Sequence, residues 1–312
     1  MKKISILLLC GAFLLTGCSG HVTSVSDGDQ ELMTIGDTTI TKNDEYELLK
    51  TYEGSDVMMS EVASIIYKNE IGTTKKIRKE AEQQYEEFAS SSDDPEAELE
   101  SKGYSSKEDY IENYLIPSIQ SEKLVDKYFK DDKKTIKKKY KPSVAKILEC
   151  DDKDTAEKAL KELKDGKDTS EVFDEYQSDD ANFSDEETLV STQTSSVPTR
   201  LVNTLYKQKK AGVVDEVFSD SSDSDSSDSS DSSSTKYYVA ILVNNDYDEI
   251  IDQVRESLSS DSDVTSACME YYLKKYDFEV HDQEIFDYLK ENNPEYLVQY
   301  PELKDSDDDS SN

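Results

Sequence analysis

The chain has no tryptophan, only two histidines and only four cysteines in 312 residues. The histidines, His21 and His281, are too far apart in sequence to suggest a metal pair, and no cysteine spacing resembles a metal site. A phosphate loop and a nucleophile elbow are also missing. Basic residues are outnumbered, 36 Lys and Arg against 70 Asp and Glu, for a formal net charge of −34. Such a chain repels nucleic acid and anionic lipid headgroups, so a nucleic-acid partner is excluded. The acids are spread along solvated stretches, and none stands out as a catalytic pair. Hydrophobic residues make up 35% of the chain, so packed modules must alternate with solvated ones. No second long apolar run follows the N-terminal one.

That first run carries the firmest signal. Met1-Lys2-Lys3 is a short basic start, and residues 4–15 are almost wholly apolar. Leu15-Thr16-Gly17-Cys18 then forms a lipobox, which predicts a signal peptide over residues 1–17 and a mature chain beginning at Cys18. A single acyl chain holds weakly, so stable tethering implies a multiply acylated Cys18. Residues 18–32 read as a lipidated tether that lifts the folded part off the membrane. Cys10 leaves with the signal. Cys150 and Cys268 remain, readable as two separately placed thiols or as a disulfide in an oxidising exterior.

The pattern beyond the tether is mainly helical. Residues 33–40 predict a short hairpin around Gly36-Asp37, and Thr41 to Asp44 supply capping residues for a following helix. Helical spacing runs from Met58 to Ile71, is broken at residues 90–94, and resumes after Ser105-Ser106. Pro117 is expected to kink or divide that second helix. Lys133 to Lys141 is a basic patch, either a connector or a contact for anionic lipid. From Pro142 the pattern changes to strand and helix: strands at 144–149, 213–218 and 237–243, helices at 154–163, 169–176 and 197–206. Residues 219–234 contain only Ser and Asp. They lack the glycine and glutamate of a calcium loop and read as a solvated insertion. Helices are expected at 247–258, 264–276 and 282–290, with a short strand at 278–280 and an acidic tail over 304–312.

This order resembles that of the extracytoplasmic foldase lipoproteins of the PrsA family, from about Thr34 to Tyr300. The residues that carry it are Ile35-Gly-Asp-Thr-Thr-Ile-Thr-Lys-Asn-Asp-Glu-Tyr46, Thr135-Ile-Lys-Lys-Lys-Tyr-Lys-Pro142, Thr155-Ala-Glu-Lys-Ala-Leu-Lys-Glu-Leu-Lys-Asp-Gly166 and Lys210-Ala-Gly-Val-Val-Asp-Glu-Val217. The resemblance implies an α+β fold. A mainly helical chaperone domain similar to SurA would be split between residues 33–141 and 245–303. A parvulin-like α/β domain would be inserted at 142–244. It also implies an anchored position on the outer face of the cell membrane, in an envelope of the Gram-positive type. Unfolded or newly secreted proteins would be the partners, with no cofactor and no metal. Family members can dimerise, and no sequence signature decides whether this chain does.

The departures bear on mechanism. The family's parvulin domains face two histidines across a proline pocket, and here Lys146 and Val239 occupy those positions. A glycine-rich middle segment is gone as well, with no glycine between Gly166 and Gly212. Prolyl isomerisation must overcome a barrier of about 18–20 kcal/mol, and a lysine and a valine cannot rebuild an imidazole network. The expectation is therefore a foldase or chaperone that has lost most or all isomerase chemistry, with no catalytic residue. Two alternatives stay open: a working prolyl isomerase, or a non-catalytic surface lipoprotein with one partner. Tyr110, Tyr114 and Tyr128 are candidates for a client surface, against burial in the helical core.

Overall fold

A computed structural model describes residues 25–36, 38–50, 55–220 and 235–306. Cys18, His21, the signal peptide, most of the Ser/Asp tract and the end of the acidic tail lie outside the described residues. The fold is α+β and mainly helical, with two small antiparallel sheets. The described residues divide into two compact units: one joins those up to Lys68 with those from Met269, and the other spans Asn69–Cys268. Residues 69–141 and 245–268, expected among the chaperone segments, fall in the unit that holds the larger sheet.

The first unit opens with the expected hairpin, β1 (Glu31–Ile35) and β2 (Thr38–Thr41), which turns at Gly36 with φ +59°. That left-handed conformation is open to glycine at little cost. Thr41 then caps α1 (Lys42–Leu49) in a reciprocal box: its hydroxyl takes the Asp44 amide, and the Asp44 carboxylate takes the Thr41 amide. The helix α2 (Ser55–Glu70) follows. Lys50, buried at the end of α1, ties the two termini together. Burial disfavours its charge, yet Glu284 at 2.7 Å, Glu47 at 3.2 Å and Asp282 at 3.4 Å hold the ammonium charged and raise its pKa. Asp282 in turn caps the last long helix.

In the second unit, α3 (Lys75–Ser91) and α4 (Pro95–Ser101) are separated by the predicted Ser/Asp break, where Asp94 caps α4. After Ser106 the chain forms α5 (Lys107–Tyr110), a π-helical turn (Ile111–Leu115) and α6 (Ile116–Asp131). Pro117 neither ends nor splits the path. The wider turn lies directly before it, with the Ile116 amide reaching back to the Ile111 carbonyl. Ile77, Ala81, Leu99, Ile111, Leu115, Ile116 and Ile119 form the helical core. The Lys-rich α7 (Lys133–Tyr140) is a connector: Lys133 pairs with Asp248, and Lys139 with Asp263 at 3.4 Å. It stops at Lys141, which is left-handed with φ 47°.

The larger sheet comprises β3 (Ser143–Cys150), β4 (Thr188–Val190), β5 (Gly212–Val213), β6 (Phe218–Ser219) and β7 (Tyr237–Asn244). Its order is β4-β3-β7-β5, with β6 also on β7, and all pairs are antiparallel. The helices α8 (Lys153–Lys164) and α9 (Thr169–Tyr176) cover one face, and α10 (Thr199–Lys207) covers the other. Three expectations are corrected. The strand at 213–218 is two short pieces, because the backbone between them leaves the ladder. The three-residue β4 was missed, being too short to show a period. Residues 278–280 form no strand: they are left without a partner strand after the left-handed Asp277, φ 48°.

The rest is α11 (Tyr247–Leu258), α12 (Ser262–Lys275) and α13 (Gln283–Asn292), then two short 3₁₀ turns. The buried Tyr247 hydroxyl donates to the Phe129 carbonyl at 2.8 Å, pinning α11 to α6. No described helix is long and apolar enough to cross a membrane.

Candidate functional site

Alternation along β3 and β7 decides where Lys146 and Val239 point. Ala145 and Ile147 pack under α10 with Tyr238, Ala240 and Leu242. Leu148, Cys150 and Val239 pack under α8 and α9. Lys146 shares the parity of Leu148 along β3, so Lys146 and Val239 belong to the same face. Lys146 is paired across the strands with Ile241, and Val239 with Leu148. The backbone thus brings Lys146 and Val239 one diagonal step apart.

The chemistry there is that of a packed core. Val239 is 1% exposed among Leu148, Ala156, Ala159, Val172 and Phe173. Lys146 is half-buried, and its charge acts on Asp168, the cap of α9. The Asp168 carboxyl lies below its ordinary range first through the Ser170 hydroxyl, then through backbone amides, and only lastly through Lys146. Neither side chain is an imidazole, and Val239 carries no polar atom on its side chain. His281 belongs to the other compact unit and is exposed.

The same sheet edge holds a lysine–serine–carboxylate cluster. The Lys236 ammonium lies 2.7 Å from Asp151, 2.8 Å from the Ser178 hydroxyl and against Asp180. That geometry superficially suits a lysine base beside a serine. Hydrogen bonds donated to Asp151 and Asp180 raise the Lys236 pKa, so it stays an ammonium and cannot take a proton. Its role is a clamp. Lys236 leads into β7, and its amide also donates to Asp220 at 3.2 Å, which pins the two stems of the Ser/Asp insertion together.

Cys150 and Cys268 are separate, free and buried. Burial pushes both thiols up to about 12, which suits inert core residues. Among the described residues no three His, Cys, Asp or Glu side chains gather to hold a metal.

The three tyrosines separate. Tyr128 is 1% exposed and Tyr110 7%, both core residues, whereas Tyr114 is 49% exposed. Tyr114 stacks on Tyr110 at 5.0 Å, and Tyr104 meets Tyr110 edge-on at 4.9 Å. Phe88 and Tyr85 extend this row along α3. Beside it opens a cleft of about 770 Å³ between α3, α4 and the turn into α5, lined by Tyr85, Leu99, Tyr104, Asp94, Glu96 and Glu100 among others. The sequence reading found Tyr110 and Tyr114 and missed Tyr85, Phe88 and Tyr104. The available signal was Gly103: at φ +86° it ends α4 and folds Tyr104 back, its amide bonding the Leu99 carbonyl at 3.0 Å.

No family model matches the chain, and no curated relative matches it. Solved structures do. A peptidylprolyl isomerase (PrsA) from Bacillus cereus is 20% identical with a TM-score of 0.47, over 85% of this chain and 98% of that one. The foldase protein PrsA from Streptococcus pneumoniae is 18% identical with a TM-score of 0.38, over 85% and 99%. PrsA from Bacillus subtilis is 18% identical with a TM-score of 0.34, over 83% and 97%. With TM-scores below 0.5, the functional reading rests on the chain's own residues.

Proposed function

We propose that the chain is a lipid-anchored extracytoplasmic foldase or chaperone that assists newly secreted proteins and has lost prolyl isomerase chemistry. The observation that carries the loss is the face of β3 and β7 where Val239 is sealed under α8 and α9 beside a lysine. The lipobox at Cys18 supports the anchor, and the family motifs from Ile35 to Val217 support the foldase class. The lipid would hold the protein and its clients in one thin layer, raising their effective concentration. No cofactor is needed for this work. Weak, promiscuous contacts suit it, because clients must be released to fold.

The test runs two assays side by side. The mature chain slows aggregation of an unfolded secreted client, while a proline-limited refolding reaction proceeds at the buffer rate. Unchanged aggregation would overturn the foldase reading. A refolding rate above buffer that is lost on mutating Lys146 would instead restore the isomerase. Labelled palmitate incorporated by the natural chain, and absent from Cys18→Ser, checks the anchor.

A further inference from the structure

The cleft between α3 and α4 has a divided surface. Tyr85 and Leu99 are buried and Tyr104 half-buried in its floor, while Asp94, Glu96 and Glu100 are exposed on its rim. Twice on this same aromatic row a lysine lies over a ring with a carboxylate at its head. The Lys107 ammonium sits 4.4 Å from the Tyr85 ring centre and 2.5 Å from Glu86. The Lys102 ammonium sits 5.0 Å from the Phe88 ring centre and 2.5 Å from Glu98. An aromatic face and a carboxylate together attract a cation more strongly than either alone, because the ring quadrupole and the charge act on the same ammonium.

Tyr104, Glu96 and Glu100 line the cleft beside these two pairs, together with Lys107. Glu96 and Glu100 stand four residues apart on α4, so they share one face of the helix and repel each other. Neither has an ion-pair partner among the described residues. A cation entering between them would relieve that repulsion. The exposed Tyr114 ring, stacked on Tyr110, offers apolar surface nearby. The net charge of −34 would draw basic segments toward the cleft and repel acidic ones.

We propose that this cleft takes a lysine or arginine side chain of an unfolded client, with the residue beside it resting on the tyrosine row. The proposal rests on the foldase reading and names the class of segment it would hold: basic with apolar neighbours, bound weakly and released quickly. At about 0.1 M salt the Debye length is about 10 Å, so exposed carboxylates would lose much of their reach as salt rises.

The experiment uses the full mature chain and two short fluorescein-labelled peptides, one repeating Lys-Phe-Ser and one repeating Glu-Phe-Ser, read by anisotropy. The lysine peptide binds, the glutamate peptide does not, and added salt weakens the complex. The double variant E96K/E100K weakens it about tenfold, equal to about 1.4 kcal/mol. The milder E96Q/E100Q lies between, and both keep the natural melting curve. Equal binding of the two peptides, or variants that bind as the natural chain does, would overturn the proposal. The client-aggregation assay run on the same samples separates the two failures. A natural chain that slows aggregation beside variants with unchanged peptide affinity loses only the cleft, whereas a natural chain that slows nothing loses the foldase reading itself.

Discussion

The sheet face around Val239 and the cleft beside Tyr104 lie in one compact unit and had opposite fates. From sequence, Lys146 and Val239 were expected to mark a lost pocket, while Tyr110 and Tyr114, beside the second, were candidates for a client surface. The first is roofed: α8 and α9 cover Leu148 and Val239. The second is open because α4 is short and ends at Gly103, leaving tyrosine surface and carboxylates in water. A site is therefore kept or lost by what neighbouring elements cover, as much as by the residues at its centre. Lys146 and Val239 share one face of the sheet, and Val239 there is wholly packed.

Several substitutions would break or sharpen that contrast. The largest effect is expected from Leu148→Ala, which empties a fully buried position and should cost about 2–5 kcal/mol in urea unfolding. Val239→His should cost about 2–3 kcal/mol, because the imidazole would enter an apolar contact set without a partner. The same variant, even combined with Lys146→His, should leave proline-limited refolding at the buffer rate. A gain in rate would show that the face is less sealed than its packing implies. Tyr247→Phe should cost about 1 kcal/mol, through the lost hydrogen bond to the Phe129 carbonyl.

The smaller effects concern charge. Hydrogen bonding to the Lys236 ammonium, helped by the Ser178 hydroxyl, holds Asp180 down to about 2 and Asp151 below the usual carboxylate range. A folded pKa below the unfolded value of about 3.9 stabilises the fold above that value, and the gain disappears as pH falls through the folded pKa. The difference in urea midpoint between the natural chain and Asp180→Asn should therefore be steady above about pH 4 and close towards pH 2. Lys146→Ala, half-exposed and without a close partner ion, should shift stability by less than about 0.5 kcal/mol. Finding a large shift there would reopen the question of what that lysine does.

Much of the fold was legible. Thr41 with Asp44, and the spacing of Ala156, Ala159 and Leu163, announced helices that the structure contains. Strands β3 and β7 are long enough to show apolar runs, and they pair with one another. What failed was short or cooperative. β4 has three residues, and β5 and β6 have two each, so no periodicity could mark them. The stretch 278–280 has strand-like composition, but no neighbouring strand accepts it.

By itself the sequence determined the Leu15-Thr16-Gly17-Cys18 tetrapeptide behind an apolar run, the presence of Lys146 and Val239 in place of any histidine, the excess of acid and the order of the long elements. These follow from residue identity and local spacing, which act within a few residues. Only the tertiary structure decided that Lys146 and Val239 share a face, that Tyr128 is core while Tyr114 meets solvent, and that Lys236 is clamped by Asp151 and Asp180. Those outcomes depend on which distant elements pack against a given face. Burial is a property of neighbours brought together by the fold, and a linear pattern specifies them only indirectly.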